Sequence, residues 1–288
     1  MKTQKVWFIT GASRGFGLEI ARAALAAGDQ VAATVRSQPT QLTTALHNHP
    51  DLYVVPMDVT QEEQVQKAVQ QAIARFGRID VLVNNAGYGM VTAIEEATDA
   101  EVRQQYDTNV FGLLNVTRAV LPYLRQQKSG QVINISCLFG YDVVPGWGLY
   151  GSTKFAVEGI SKGLAVELAP LGIHVTTVAP GLFSTDFLST ESYVAAKTII
   201  ADYQETVGAM RSGADALHGL QPGDPKKFAQ VVFQLANTEH PPLHLPVGKD
   251  AVSMYQNNAA KMAEEIEAWL PVATSTDHDH RVPTMTIA

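Results

Sequence analysis

Residues 5–17 read Lys-Val-Trp-Phe-Ile-Thr-Gly-Ala-Ser-Arg-Gly-Phe-Gly, KVWFITGASRGFG. Val6 to Ile9 is an unbroken apolar run, as in a strand covered on both faces. Glycines follow at 11, 15 and 17, and the segment FGLEIARAALAAG (16–28) opens on them with helical periodicity. Bare backbone at such a turn lets N–H groups approach a pyrophosphate at a helix N-terminus, where the helix dipole favours negative charge. The candidate contacts are Gly11, Ser13, Arg14, Gly15, Phe16 and Gly17. The spacing is not G-x-G-x-x-G, and three glycines also suit a tight strand-to-helix turn without a ligand.

Outward from this unit the rhythm repeats. Apolar runs at 30–35 (QVAATV), 52–57 (LYVVPM), 80–85 (DVLVNN), 131–136 (QVINIS) and 174–179 (HVTTVA) alternate with helical segments such as EEQVQKAVQQAIARFG (62–77). Gly28 and Gly77 sit just past helix ends, as C-cap glycines do. Continuous apolar strands separated by helices imply a parallel sheet with both faces covered. Right-handed crossovers then predict an α/β, doubly wound, Rossmann-type sheet of seven strands in the order 3-2-1-4-5-6-7. The seventh strand falls in HPPLHLPVG (240–248). Between 184 and 222 the rhythm lapses, which predicts helices and loop inserted after the sixth strand, placed to act as a substrate lid. KDAVSMYQNNAAKMAEEIEAWL (249–270) reads as a terminal amphipathic helix. The polar, aperiodic stretch 271–288 reads as a disordered tail, leaving one domain over residues 1–270.

The 288 residues carry a net charge of −7, which argues against a nucleic-acid partner. A single cysteine excludes an internal disulfide and fits a reducing compartment. Gly11 ends the first apolar run too early for a signal peptide or a membrane span. No later run approaches the roughly 18 residues a spanning helix needs. The expectation is a cytoplasmic protein without a membrane partner. DHDHR (277–281) holds metal-friendly residues but no scaffold, so no metal is expected.

The end of the second strand bears on cofactor choice. An acid there would bind a ribose 2′-OH; the sequence reads Thr34-Val35-Arg36 instead. Arg36 and Arg14 suit a 2′-phosphate, which guanidinium matches bidentately. This favours NADPH/NADP over NAD. Two solvated arginines are the plainer alternative.

With TGASRGFG (10–17), NNAG (84–87), Asn109 in NVFG, YGSTK (150–154) and PGLFST (180–185) in this order, the chain resembles the short-chain dehydrogenase/reductase family over about residues 5–190. PLGIHVTTVAPGLFSTDF (170–187) resembles its 17β-hydroxysteroid-dehydrogenase-like branch. The resemblance implies that Asp58 and Val59 line an adenine pocket, and that Asn85, Ala86 and Gly87 pass the adenosine ribose. Pro180, Gly181 and Thr185 would hold the nicotinamide carboxamide. Tyr150 would be the proton donor, Lys154 its electrostatic partner, and Asn109 the anchor of a water relay. Tyr88, Phe139, Tyr141, Val144, Trp147 and Phe187 would face a bulky apolar ketone, aldehyde or alcohol. No cationic cluster in the insertion suggests an acidic substrate, and Lys197 and Arg211 are the candidate cations there. Helices near 100–127 and 150–169 would pair subunits in a homodimer or homotetramer.

Tyr150 and Lys154 are four apart, hence on one helix face. A phenol titrates near 10; the ammonium, with the positive charge of an oxidised nicotinamide, is expected to lower that value. Tyr150 would then donate a proton in reduction and accept one in oxidation. In isolation such a pair is also an ordinary surface contact. Position 137 is serine in most of the family and is Cys137 here. As a weaker donor than a hydroxyl it reads first as a working donor in a slow oxidoreductase, with Tyr150 carrying most of the polarisation; the other readings are a weakly active or noncatalytic NADP-binding regulator, an introduced substitution, a thiolate nucleophile, or simply a small buried residue. Ser136 is no substitute, because on a strand it points to the opposite face.

Overall fold

The computed structural model describes residues 4–188, 193–195, 197–217 and 219–278. Its main sheet is built from β1 (Val6–Ile9), β2 (Gln30–Val35), β3 (Leu52–Pro56), β4 (Val81–Asn84), β6 (Gly130–Ile135), β7 (Ile173–Pro180) and β9 (His244–Val247). The spatial order is β3-β2-β1-β4-β6-β7-β9, and every neighbouring pair is parallel. This is the expected topology once two short strands outside the sheet are set aside. These are β5 (Gly89–Val91) and β8 (Tyr193–Ala195), which pair with each other in parallel.

Successive side chains of a strand enter opposite layers. Trp7 and Ile9 pack with Ala33, Val83 and Ile133 against α1 (Gly15–Ala26) and α8 (Pro225–Leu235). Phe8 packs with Ala32, Leu82 and Val132 against α3 (Glu62–Phe76), α5 (Gly112–Gln127) and α6 (Gly148–Leu168). Both layers are apolar, which is why the strands read as unbroken runs. Gly77 caps α3 at φ 80° and donates its N–H to the Ile73 carbonyl at 2.7 Å.

Two short helices, α2 (Pro39–Ala45) and α4 (Asp99–Tyr106), complete the periphery of this half. Thr98 and Glu101 form a capping box at the start of α4. A single π-turn, Asp107–Phe111, joins α4 to α5. Such turns bulge a helix and recur at functional sites; this one carries Asn109.

The 184–222 insertion contains β8, turns at Ala201–Tyr203 and Gln204–Gly208, and α7 (Ala209–Leu217). α9 (Lys249–Ala273) runs three residues beyond the expected limit at 270. Pro271 lacks only its own N–H bond, and the ladder resumes with Thr274 N–H to the Leu270 carbonyl at 3.0 Å. The expected tail is therefore helical at its start. Its residues 279–288, including most of DHDHR, lie outside the described residues. No described helix is long and apolar enough to cross a membrane.

Candidate active site

The first βα turn is clamped by the NNAG segment. Asn85 and Ala86 each donate a backbone N–H to Thr10 Oγ1 at 3.0 Å. Asn85 Nδ2 donates to the Thr10 and Gly11 carbonyls at 2.9 Å. A Cβ on Gly11 would stand 2.9 Å from Ala86 Cα, and its φ of 63° is a left-handed one. A Cβ on Gly17 would stand 2.5 Å from the Gly11 carbonyl oxygen, so Gly17 closes the loop against itself. Gly17 thus packs the loop and does not line the cleft. Phe16 stacks on Phe228, with ring centroids 3.9 Å apart.

The cleft opens at the carboxyl ends of the strands, where β1 and β4 lead away in opposite directions. This is the switch point at which doubly wound sheets bind ligands. Its volume is about 1700 Å³. Gly11, Ser13, Arg14, Gly15 and Phe16 line one end with exposed Arg36, Asp58 and Val59. Asn85, Ala86 and Gly87 line the middle; Pro180, Gly181 and Thr185 close over it from β7. Asp58 Oδ1 accepts from Thr60 N–H at 2.9 Å and from Thr60 Oγ1 at 2.8 Å, which orders the loop after β3. Asp250 at the start of α9 was not legible in the sequence. It accepts the Leu182 N–H at 2.6 Å and so fixes the exit of β7.

The candidate catalytic residues meet at the floor. Tyr150 and Lys154 lie on one face of α6, with Lys154 Nζ 5.6 Å from the Tyr150 ring centroid. Lys154 donates to the Ile135 carbonyl at 2.9 Å. Tyr150 and Cys137 lie in one buried cluster. Asn109 stands behind this group. It accepts the Tyr88 N–H at 3.1 Å and donates to the Tyr88 carbonyl at 3.0 Å and to Thr153 Oγ1 at 3.1 Å. It therefore ties β5's approach to α6 without lining the cleft itself.

Electrostatics correct one expectation. Tyr150 is not lowered in the protein alone: burial pushes it well above the ordinary phenol value, and Cys137 adds to the rise. Only 3% of the residue is exposed, so desolvation of the phenolate outweighs an ammonium already committed to a carbonyl. Burial likewise pushes the Cys137 thiol up, against hydrogen bonds and Lys154 that act the other way. That argues against a thiolate nucleophile. Tyr88 rises to about 12, through burial and then Asp107.

The end of the cleft beside Tyr150 is largely apolar, and Tyr88, Phe139, Val144, Trp147 and Phe187 all line it. Trp147 stacks on Phe139 at 5.0 Å and meets Tyr150 edge-on at 5.5 Å. Met210 and Ala214 of α7 also reach the cleft, a contribution the sequence did not reveal. Tyr141 is a correction. It does not line the cleft; its ring packs edge-on against Tyr255, 4.6 Å away, and its hydroxyl is buried toward Glu158. The turn at Leu138–Gly140 rotates it out of line with Phe139. Arg211 is no substrate cation either, since it is paired with buried Glu96, and Lys197 stands beside Glu101.

Residues 5–194 match the family model for short chain dehydrogenase. The chain is 42% identical over 267 residues to the oxidoreductase BOA17 of Botryotinia fuckeliana, covering 92% of this chain and 96% of that one. It is 35% identical over 271 residues to a 3-ketodihydrosphingosine reductase of Bacteroides thetaiotaomicron, covering 93% of each. Among solved structures, a short-chain dehydrogenase from Streptomyces avermitilis superposes with a TM-score of 0.89 at 40% identity, over 96% of this chain and all of that one. The structure of ElxO with NADP bound superposes at 0.73 with 28% identity, over 87% of this chain and 100% of that one. A family match over two thirds of the chain, on a sheet of the same order and with full-length relatives, leaves one conclusion: this chain belongs to the short-chain dehydrogenase family and is an NAD(P)-dependent oxidoreductase.

Proposed function

We propose that the chain is an NADPH-dependent reductase of a bulky apolar ketone or aldehyde, with Tyr150 as general acid. The observation that carries this reading is the Tyr150–Lys154 pair on the cleft floor, between the glycine loop and an aromatic wall. The residues fit a dinucleotide: Gly11 and Gly15 leave bare backbone at the N-terminus of α1, and Arg36 offers a guanidinium for a 2′-phosphate. ElxO's bound NADP supports the same cofactor, and the relative named 3-ketodihydrosphingosine reductase supports the substrate class.

Bound there, NADPH supplies the hydride. Tyr150, kept protonated by burial, gives its proton to the substrate oxygen. Lys154 stabilises the phenolate that remains. Cys137 offers a second, weaker donor to the same oxygen. Trp147 and Phe187 exclude water from the reacting end, and Asn109 holds the backbone beside it. Cys137 also supports a second reading, an NADP-binding regulator with little turnover.

The test is oxidation of NADPH and of NADH with ketones and aldehydes of graded size. The wild type is expected to reduce large apolar carbonyls and to prefer NADPH. Tyr150→Phe is expected to lower kcat by about 100-fold or more and to keep NADPH affinity. An unchanged rate in that variant would remove Tyr150 as the acid. Tight NADPH binding without turnover across the panel would establish the regulator instead.

A further inference from the structure

Behind the floor of the cleft lies a polar cluster that the reaction above does not use. Glu158 sits one helical turn beyond Lys154 on α6 and is 5% exposed. Its Oε2 accepts from Thr177 Oγ1 of β7 at 2.8 Å and lies 3.0 Å from His244 Nδ1 of β9. Thr177 and His244 are partners in the sheet register. Glu158 Oε1 and Ser136 Oγ are buried without a hydrogen-bond partner, and the Tyr141 hydroxyl is buried toward Glu158. Gly140 packs tightly among them: a Cβ there would stand 2.7 Å from Ser136 Oγ, 3.3 Å from Glu158 Cγ and 3.4 Å from Lys154 Cβ.

An ammonium buried as Lys154 is requires compensating charge. Burial pushes Lys154 down, while Cys137 and Glu158 push it up. Cys137 acts that way only as a thiolate, and burial keeps it a neutral thiol. The negative charge left to hold Lys154 protonated is Glu158. Among the described residues no carboxylate ion-pairs directly with Lys154, so this influence acts through space from one turn along the buried face of α6.

We propose that Glu158 is a positioning residue for the reaction: the buried counter-charge of Lys154, held in place by Thr177 and His244 and acting on Tyr150 only through that lysine. The inference rests on the reading of Lys154 as the partner of Tyr150. The titratable groups around Lys154 are Tyr150 and Glu158 from α6 and Cys137 from the turn after β6. Around Glu158 stand Tyr141 from that turn, His244 from β9 and, behind Tyr141, Tyr255 from α9.

The experiment titrates full-length protein labelled with 13Cε-lysine by NMR, with the Lys154 signal assigned by its loss in Lys154→Met. Glu158→Gln and the apolar Glu158→Met are each expected to lower the Lys154 midpoint by about one pH unit or more; Glu158→Asp is expected to retain most of it. The alkaline limb of kcat is expected to move with the midpoint, while KM for NADPH stays put. Two variants guard against misfolding, since replacing a buried charge by an apolar side chain of similar size is often tolerated. An unmoved Lys154 midpoint in a folded variant overturns the counter-charge. A moved midpoint in a protein without carbonyl turnover keeps the counter-charge and overturns the reductase reading instead.

Discussion

Cys137 and Tyr150 are buried in one cluster at the floor of the cleft. A hydroxyl at 137 would donate more strongly to the oxyanion that develops during reduction. Cys137→Ser is therefore expected to raise kcat by about tenfold, the worth of one ordinary hydrogen bond, with little change in KM; stopped-flow or steady-state NADPH oxidation reads it. A fall in kcat would show that the sulfur fills a space the smaller oxygen leaves empty. The identity of residue 137 was plain in the sequence, but its chemistry was not. Five readings stood open because thiol reactivity depends on burial, and burial comes from Phe139, Trp147 and Tyr150 packing around it.

Glu96 ties the 184–222 insertion to the body of the protein. Glu96 accepts from the Ala93 N–H at 2.9 Å and the Ile200 N–H at 3.0 Å, and it pairs with Arg211 of α7. Tyr203 adds a bond to Glu95 at 2.7 Å. Burial alone would raise Glu96, but these bonds outweigh it and hold the carboxyl below its ordinary value. A depressed carboxylate contributes stability above its unfolded value and loses it as pH falls through the folded one. The insertion is thus held at neutral pH and loosens below the ordinary carboxylate value of about 4.3. Glu96→Ala is expected to cost about 3 to 5 kcal/mol by stranding Arg211. Hydrogen exchange over 197–217 would quicken and KM for the carbonyl substrate would rise, while NADPH affinity holds. Unchanged exchange in that segment would show that β5–β8 pairing carries the insertion instead. None of this was legible beforehand, because three-residue strands show no period and the partners are more than a hundred residues apart.

On the whole molecule, the outer face of α6 leaves Phe155 and Val166 at 47% and 77% exposure. The expected outcome in sedimentation is a dimer or tetramer, and Phe155→Glu is expected to shift it toward monomer without lowering the monomer's helix content. A wild type that sediments as a monomer would refute the pairing. The fold itself was open to reading: unbroken runs such as Val6–Ile9, glycines at 11, 15 and 17, and C-cap glycines at 28 and 77 are local signals. Sheet order then follows from handedness and short connections. The Tyr150–Lys154 pairing was equally legible, since a spacing of four fixes one helix face. Tertiary structure alone decided the rest: that Tyr141 turns from the cleft, that Asp250 anchors the exit of β7, that Glu158 meets His244, and that burial sets the protonation of Tyr150. Periodicity and motif spacing act through bonds along one segment. Desolvation and charge depend on which distant segments exclude water from a group, and that is settled only when the chain packs.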